Sequence, residues 1–190
     1  SLAEFLKARQ GRKNKASAIG VGTTGQIETG SGSYSPGLYP EAPWVGIPLR
    51  DILHKAAGLP VYVDNDCKIS AYAELKVGRG RGQTNFISLT LGTGIGGGIV
   101  IDGRLVQGQN GLAGHLGHMS VDPQGPYCPC GNRGCLELYA SGTAVAKAAS
   151  KALKREVDSK EAFLLASQGN SQALEVIHKS GKILGQALGS

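Results

Sequence analysis

The chain has 190 residues, 41% of them hydrophobic, and a formal net charge of +6, which suits one or two compact domains. No segment approaches the run of about 20 apolar residues that a membrane span needs, and we identify no signal peptide, so we expect no membrane association. Four cysteines are too few for a disulfide scaffold, which favours a reduced, cytoplasmic setting. The basic residues between 7 and 15 form one short cluster, interpreted as a solvated surface rather than a nucleic-acid site.

The first predicted elements are a helix ending near residue 10, an apolar strand at 16–22 and an irregular loop at 23–44 that is rich in Gly, Ser, Tyr and Pro. From Leu49 to Ala57, apolar residues recur with helical spacing, and Gly58 follows as a stop signal. A short buried strand is predicted at 60–63. This order of strand, helix and strand predicts an α/β unit with a parallel sheet.

Three polar residues, Asp64, Asn65 and Asp66, follow that strand directly. In open α/β sheets, ligands bind beyond the carboxyl ends of the strands. A carboxylate there can accept the proton of an attacking hydroxyl, and an amide can orient the substrate. The alternative is that Asp64 and Asp66 merely cap a helix predicted at 69–78.

The segment Gly92-Thr93-Gly94-Ile95-Gly96-Gly97 matches the G-x-G-x-x-G pattern of dinucleotide-binding folds. That motif must open a helix, but here it runs into a second apolar strand with Asp102-Gly103 as a hairpin turn. We therefore predict a β-hairpin with a glycine-rich bend. Its N–H groups, with the hydroxyls of Thr90 and Thr93, can bind phosphate, although a simple turn is the alternative. Further along, helices are predicted at 143–154 and around Leu174–Leu188.

Three of the four cysteines, Cys128, Cys130 and Cys135, lie within eight positions. They could form a disulfide knot, a redox pair, a metal site or part of an apolar core. The Gly-Asn-Arg-Gly segment between Cys130 and Cys135 predicts a tight turn that returns Cys135 to the other two. Three thiolates and one imidazole would complete a tetrahedral zinc site, with His115 and His118 as the candidate fourth ligands.

The segments "VDNDCK", "TLGTGIGGGIVIDGRLVQGQNGLAGHLGH" and "CPCGNRGCLE" resemble, in order and spacing, the ROK family of repressors and sugar kinases. The resemblance runs from about Ala16 to the end of the chain. It implies an actin-like ATPase (ribonuclease H-like) α/β fold of two domains, partly present here: a partial first domain at 1–66 and a larger, C-terminally incomplete one at 67–190.

The resemblance also assigns roles to individual residues. It implies that Asp66 is the catalytic base and that a structural Zn²⁺ is bound by His118, Cys128, Cys130 and Cys135. The sugar contacts would be Asn65, His115, His118 and Glu137. The ATP contacts, with Mg²⁺, would be Thr90, Gly92, Thr93, Gly94 and Gly96.

The sequence departs from the family pattern in three places. His115 stands where members usually carry Glu, a form that resembles N-acetylmannosamine kinases. Lys68 stands where a small or amide residue is common. The N-terminal phosphate loop and the late adenosine segment are missing, so we expect an internal fragment that is inactive alone.

Two functions follow from the resemblance. The first is an ATP-dependent kinase acting on the 6-hydroxyl of glucose or an N-acetylhexosamine, homodimeric when full length. The alternative is a sugar-responsive repressor whose DNA-binding module lies outside this chain.

Overall fold

The computed structural model describes residues 16–35 and 43–189. The chain divides into two compact units, Ser1–Phe86 with Ile99–Ala113, and Ile87–Gly98 with Gly114–Ser190. We call them the first and the second unit. The predicted helix before residue 10 and the basic cluster lie outside the described residues, and the family-based boundary after residue 66 stays a prediction.

The first unit contains a parallel pair of strands, β1 (Ile19–Thr23) and β2 (Val61–Asn65), in register from Ile19 opposite Val61 to Thr23 opposite Asn65. Helix α1 (Leu49–Ala57) connects them along the chain, and α2 (Asp66–Val77) follows β2. The parallel α/β unit is therefore confirmed. Strand β2 extends two residues beyond its predicted end and includes Asp64 and Asn65.

Helix α1 ends where the sequence predicts. Gly58 has a left-handed backbone, φ 66°, and its N–H donates to the carbonyl of His54 at 2.8 Å. The apolar face is only partly covered, however, since none of its residues is fully buried and Ile52 is 51% exposed. The loop before α1 is irregular wherever it is described, with one isolated bridge between Ile27 and Tyr34.

The glycine-rich segment forms strands, as predicted. Strands β3 (Phe86–Leu91), β4 (Ile95–Ile101) and β5 (Arg104–Leu105) make one sheet in that order, and β4 and β5 pair antiparallel. Asp102 and Gly103 connect them with φ values of 51° and 70°, which are the positive angles that a type I′ hairpin turn requires. Because a strand and not a helix follows Gly92–Gly97, the dinucleotide-binding interpretation is correctly rejected.

The second unit is mainly helical after the cysteine cluster. Its helices are α3 (Glu137–Ala140), α4 (Gly142–Leu153), α5 (Ser159–Ser167) and α6 (Ser171–Leu188). Helices α4, α5 and α6 each begin at a polar cap whose side chain accepts a backbone N–H; these caps are Ser141, Asp158 and Asn170. The sequence predicts α4 and α6 but does not predict α5 as a separate helix.

Two small apolar clusters stabilise the second unit. One consists of Val145, Ala149, Val157 and Ala162, and the other of Ile95, Leu136 and Ala140. Leu136 is fully buried and lies between Cys135 and α3 along the chain. Its packing against Ala140 of α3 therefore connects the cysteine segment to that helix. In the described part of the chain, no helix is both long and apolar enough to cross a membrane.

We expect Leu136→Ala to lower the free energy of unfolding by about 3 kcal/mol, because the fully buried side chain would leave a cavity. Leu164→Ala on α5 is the matched control, since that leucine is 55% exposed and its removal should cost less than about 0.5 kcal/mol. Urea unfolding of both variants measures the difference. Equal losses would contradict the placement of Leu136 in the core.

Candidate functional site

Asn65 caps helix α2. Its Oδ1 accepts the backbone N–H groups of Cys67 at 3.0 Å and Lys68 at 3.2 Å, and its Nδ2 donates to the carbonyl of Gly25 at 3.0 Å. The alternative that Asp64 and Asp66 merely cap the helix is therefore wrong, and α2 begins at Asp66, three residues before its predicted start. With both oxygen lone pairs occupied, Asn65 retains one N–H to offer a ligand.

The two neighbouring carboxylates face different surroundings. Asp64 accepts the backbone N–H of Asn65 through Oδ1 at 2.7 Å and the side-chain amide of Gln107 through Oδ2 at 2.8 Å. Asp66 is exposed on the first turn of α2, where its Oδ1 accepts the N–H of Cys67 at 2.9 Å. Among the described residues, Oδ2 of Asp66 has no hydrogen-bond partner, so Asp66 is the carboxylate available to a ligand.

Lys68, in the first turn of α2, is buried, with only 1% of its surface exposed. Its Nζ donates to Oε1 of Gln107 at 3.1 Å and to the carbonyl of Gly111. Burial lowers the pKa of Lys68, and the charge of Asp64 partly offsets that effect. Sequence reasoning noted the lysine but not its burial, although helical spacing places it on the same face of α2 as the buried Ala71.

The glycine-rich bend lies between β3 and β4 in the second unit. The N–H of Gly92 donates to the carbonyl of Gly94 at 3.0 Å, and Thr90, Gly92 and Thr93 are exposed. None of the glycines from 92 to 98, all of which are described, has a positive φ. Two of them lie in close contact with neighbouring groups, since a Cβ at Gly94 would lie 2.8 Å from Oε2 of Glu137 and one at Gly97 would lie 2.6 Å from the carbonyl oxygen of Ser88, whereas a Cβ at Gly92 would meet nothing within 4 Å. Phosphate binding by Thr90, Gly92, Thr93, Gly94 and Gly96 stays a prediction.

The cysteine segment brings four side chains to one point. One ligand atom from each of His118, Cys128, Cys130 and Cys135 lies within 4.8 Å of the others. Cys128 Sγ is 3.6 Å from Nδ1 of His118, and Cys130 Sγ is 3.6 Å from Cys135 Sγ. This arrangement combines three soft thiols with one imidazole, a donor set that zinc prefers.

The backbone of the loop produces this convergence. The N–H of Cys128 donates to the carbonyl of Asn132 at 2.8 Å, which closes the predicted tight turn. Gly134 has a φ of 60°, and a Cβ there would lie 1.8 Å from the carbonyl oxygen of Asp122. Only glycine fits this position, and Cys135 follows it directly.

The sulfur atoms of the cysteine segment favour a metal site over a disulfide or an apolar core. None of the four cysteines, all of which are described, forms a disulfide. Cys128 and Cys135 are buried, as small apolar residues would be, but their sulfur atoms face other ligand atoms. Burial is the main cause that raises the pKa of both thiols, so a bound cation would be needed to hold them as thiolates. Of the two candidate histidines, His118 joins the cluster; the ring of His115 lies 6.4 Å away from that of His118.

Glu137 contacts the cysteine cluster from the first residue of α3. Its Oε1 is 3.6 Å from Nδ1 of His118 and accepts a hydrogen bond from Cys128 Sγ at 3.5 Å. The other carboxylate oxygen lies beside Gly94. Glu137 therefore lies between the cluster and the glycine-rich bend, both of which belong to the second unit.

A hydrogen bond between Tyr139 and Asp122, which the sequence analysis does not predict, also stabilises the cysteine segment. The hydroxyl of Tyr139 on α3 donates to Oδ2 of Asp122 at 2.8 Å. Burial, and then this hydrogen bond and the charge of Asp122, raise the pKa of Tyr139 to about 12. No local pattern in the sequence indicates a pair separated by 17 positions.

The described fold and site define an α/β protein whose cysteine-rich loop gathers one histidine and three cysteines. The ROK family model matches residues 1–190, and the chain belongs to the ROK family. Its fold is the actin-like ATPase fold shared by the ROK sugar kinases.

Two curated relatives illustrate the similarity. A glucokinase from Thermotoga maritima is 38% identical over 178 residues, covering 85% of this chain and 55% of that protein. An N-acetylmannosamine kinase from Citrobacter koseri is 41% identical over 141 residues, covering 74% of this chain and 48% of that protein. The chain thus spans about half the length of the curated relatives that it matches.

Two solved structures share the fold. A Streptomyces griseus ROK glucokinase in complex with glucose and AMPPNP is 30% identical with a TM-score of 0.81, covering 98% of this chain and 66% of that one. A ROK family transcriptional regulator, homologous to the Escherichia coli MLC protein, is 31% identical with a TM-score of 0.86, covering 98% of this chain and 49% of that one. The similar structures therefore include a kinase as well as a transcriptional regulator.

We expect Tyr139→Phe to lower the free energy of unfolding by about 1 kcal/mol near neutral pH, because the hydrogen bond to Asp122 is lost. The folded-state pKa of Tyr139 is raised, so this stabilisation is complete below the ordinary tyrosine pKa of about 10 and is lost as the pH rises through about 12. Urea unfolding of both proteins at a series of pH values measures the gap.

Tyr127→Phe is the matched control, since that tyrosine is 71% exposed. It should leave the free energy of unfolding nearly unchanged at every pH. A gap between wild type and Tyr139→Phe that stayed constant through the alkaline range would show that the Tyr139 hydroxyl is not the titrating group.

Proposed function

We propose that the full-length protein containing this chain is an ATP-dependent kinase that phosphorylates the 6-hydroxyl of a hexose or an N-acetylhexosamine. The observation that carries the proposal is the exposed carboxylate of Asp66 on the first turn of α2. Similarity to glucokinases and N-acetylmannosamine kinases supports it.

Asp66 is proposed as the general base. Its carboxylate would accept the proton of the sugar hydroxyl while that oxygen attacks the γ-phosphorus of ATP. The bond from the γ-phosphorus to the bridging oxygen of the β-phosphate would break, so the phosphoryl group would pass to the sugar and ADP would leave. Asp64 and Asn65 are held by other groups of the first unit, which leaves Asp66 to perform this step. The remaining N–H of Asn65 is proposed to donate to a sugar hydroxyl.

We propose that the Cys₃His cluster binds one structural Zn²⁺ through His118, Cys128, Cys130 and Cys135. The residues fit this ion, because four ligand atoms of the preferred types converge within 4.8 Å. Zinc would supply positive charge to hold the buried cysteines as thiolates and would fix the orientation of His118. His118, His115 and Glu137 are proposed as further sugar contacts.

The nucleotide is proposed to be ATP with Mg²⁺. The solved glucokinase with bound AMPPNP supports this choice of nucleotide. Within this chain, the proposed phosphate contact is the bend that contains Thr90, Gly92, Thr93, Gly94 and Gly96, of which Thr90, Gly92 and Thr93 are exposed. Backbone N–H groups and hydroxyls would donate to the phosphate oxygens.

The sugar is proposed to be glucose or N-acetylmannosamine, and His115 is proposed to influence the choice. Imidazole and carboxylate differ in hydrogen-bonding capacity, because a neutral imidazole both donates and accepts whereas a carboxylate only accepts. The 41% identity to an N-acetylmannosamine kinase supports testing that sugar beside glucose.

A second candidate function is that of a sugar-responsive repressor. The TM-score of 0.86 to a ROK family transcriptional regulator supports it. The two proposals differ in what Asp66 does, since a repressor needs sugar binding but no proton acceptor. Formation of ADP by the wild type in the presence of sugar distinguishes them.

We expect one tightly bound zinc per chain, and Cys130→Ser should lose most of it because a hydroxyl is a poor replacement for a thiolate. Metal analysis of the purified protein measures the content. Cys67→Ser is the matched control, because Cys67 is the one cysteine outside the cluster, and it should keep full zinc content. Full zinc content in Cys130→Ser, or its absence from the wild type, would overturn this assignment.

We expect the full-length protein to form ADP in the presence of glucose or N-acetylmannosamine, and Asp66→Asn to reduce turnover by about 10²–10⁴-fold. Sugar affinity should change little, since the amide keeps the shape of the carboxylate but cannot accept the proton. A coupled assay for ADP measures turnover over a panel of sugars.

Asp51→Asn on α1 is the control for this exchange, because Asp51 is also exposed but belongs to another helix. It should keep wild-type turnover. Near-normal turnover in Asp66→Asn would show that Asp66 is not the base. A wild type that binds sugar, forms no ADP and changes its DNA binding with sugar would instead be a repressor.

A further inference from the structure

A buried lysine in the first unit has no role in the proposed reaction. The Lys68 side chain is 1% exposed, and its Nζ donates to Gln107 and to the carbonyl of Gly111. Among the described residues, no carboxylate lies within ion-pair distance of this amine. Burying a lysine without a direct counter-ion costs free energy, and its hydrogen bonds indicate a function that would explain its position.

The hydrogen bonds of Lys68 lead to the strand end that carries Asp66. Gln107 accepts from Lys68 through Oε1 and donates through Nε2 to Oδ2 of Asp64 at 2.8 Å. Asp64 in turn accepts the backbone N–H of Asn65 at 2.7 Å. The side chains of Lys68, Gln107 and Asp64 thus form one continuous chain of hydrogen bonds that ends on the backbone next to Asp66.

Lys68 also fixes the loop that supplies Gln107. Its second hydrogen bond holds the carbonyl of Gly111, and Nε2 of the buried Gln26 holds the neighbouring carbonyl of Asn110 at 2.7 Å. A Cβ at Gly111 would lie 2.2 Å from the carbonyl oxygen of Ile27, so the loop packs closely there. The hydrogen bonds to the carbonyls of Asn110 and Gly111 therefore fix the loop that carries Gln107, whose side-chain amide donates to Asp64.

We propose that Lys68 is a positioning residue for the catalytic base, which it holds in place through Gln107, Asp64 and the cap at Asn65. This inference rests on the proposed function of Asp66. Its physical basis is that phosphoryl transfer depends on the orientation of the attacking hydroxyl, which a small displacement of the base disturbs. Lys68 itself touches no reacting atom.

The test uses the full-length protein and the change Lys68→Met. Methionine retains most of the length of the side chain but cannot donate, and replacing a buried charge with an apolar side chain often leaves folding unchanged or more favourable. We expect kcat for sugar phosphorylation to fall by about tenfold or more while KM for ATP stays within about twofold. Lys76→Met is the matched control, since Lys76 is exposed on the same helix, and its kinetics should equal those of the wild type.

A second variant interrupts the same chain of hydrogen bonds at a less buried residue. Gln107→Met should reproduce the loss of kcat, and the double variant should lose little more than either single variant, because both changes break one connection. Hydrogen exchange of the backbone N–H groups of 65–68 should become faster in both variants. This measurement does not depend on catalysis.

The outcomes separate the two proposals. An active wild type with unchanged kcat in Lys68→Met, or with fully multiplicative losses in the double variant, would overturn the role of Lys68 and leave the kinase intact. Faster exchange with unchanged kcat would show that Lys68 is structural only. A wild type that phosphorylates no sugar on the panel would overturn the proposed function and, with it, the role of Lys68.

Discussion

The hydrogen bonds of the Asn65 side chain determine the geometry of the first unit at its candidate site. One oxygen accepts two N–H groups of the first turn of α2, and the amide nitrogen connects that turn to Gly25. The four N–H groups at the start of a helix have no partner within the helix, so a cap of this kind decides where the helix begins. Because Asn65 is also the last residue of β2, strand and helix meet without a connecting loop, and Asp66 is exposed at their junction.

The cysteine loop of the second unit is stabilised by different means. From Ser120 to Cys135 it offers few apolar side chains, and its order comes from turns, close backbone contacts at Gly134, and the hydrogen bond between Tyr139 and Asp122. Leu136 supplies the apolar contact at its end. A metal ion bound by the four converging side chains would stabilise such a loop, since metal binding contributes directly to folding where a core is small.

Several structural features that depend on neighbouring residues are predicted correctly from the sequence, whereas contacts between distant residues are not. The end of α1 at Gly58, the hairpin turn at Asp102-Gly103 and the turn that returns Cys135 are each encoded within a few positions, and the structure confirms all three. The capping role of Asn65 is not evident from the sequence, where only Asp64 and Asp66 are considered as caps, because Asp and Asn have similar preferences for that position. The contacts of Lys68 join positions 39 and 43 residues apart, and no pattern along the chain indicates such a pair.

Asp64, Asn65 and Asp66 are adjacent and chemically similar, but their side chains have different hydrogen-bond partners. Successive side chains of a strand point to opposite faces, so Asp64 and Asn65 diverge, and the helix then turns Asp66 away from both. Asp64 faces the amide of Gln107, and Asn65 closes the helix. Both therefore have their acceptors occupied within the protein, whereas Asp66 keeps one oxygen for solvent or a ligand. The backbone on each side of Asp66 is held by hydrogen bonds, and on the Asp64 side those bonds continue through Gln107 to Lys68.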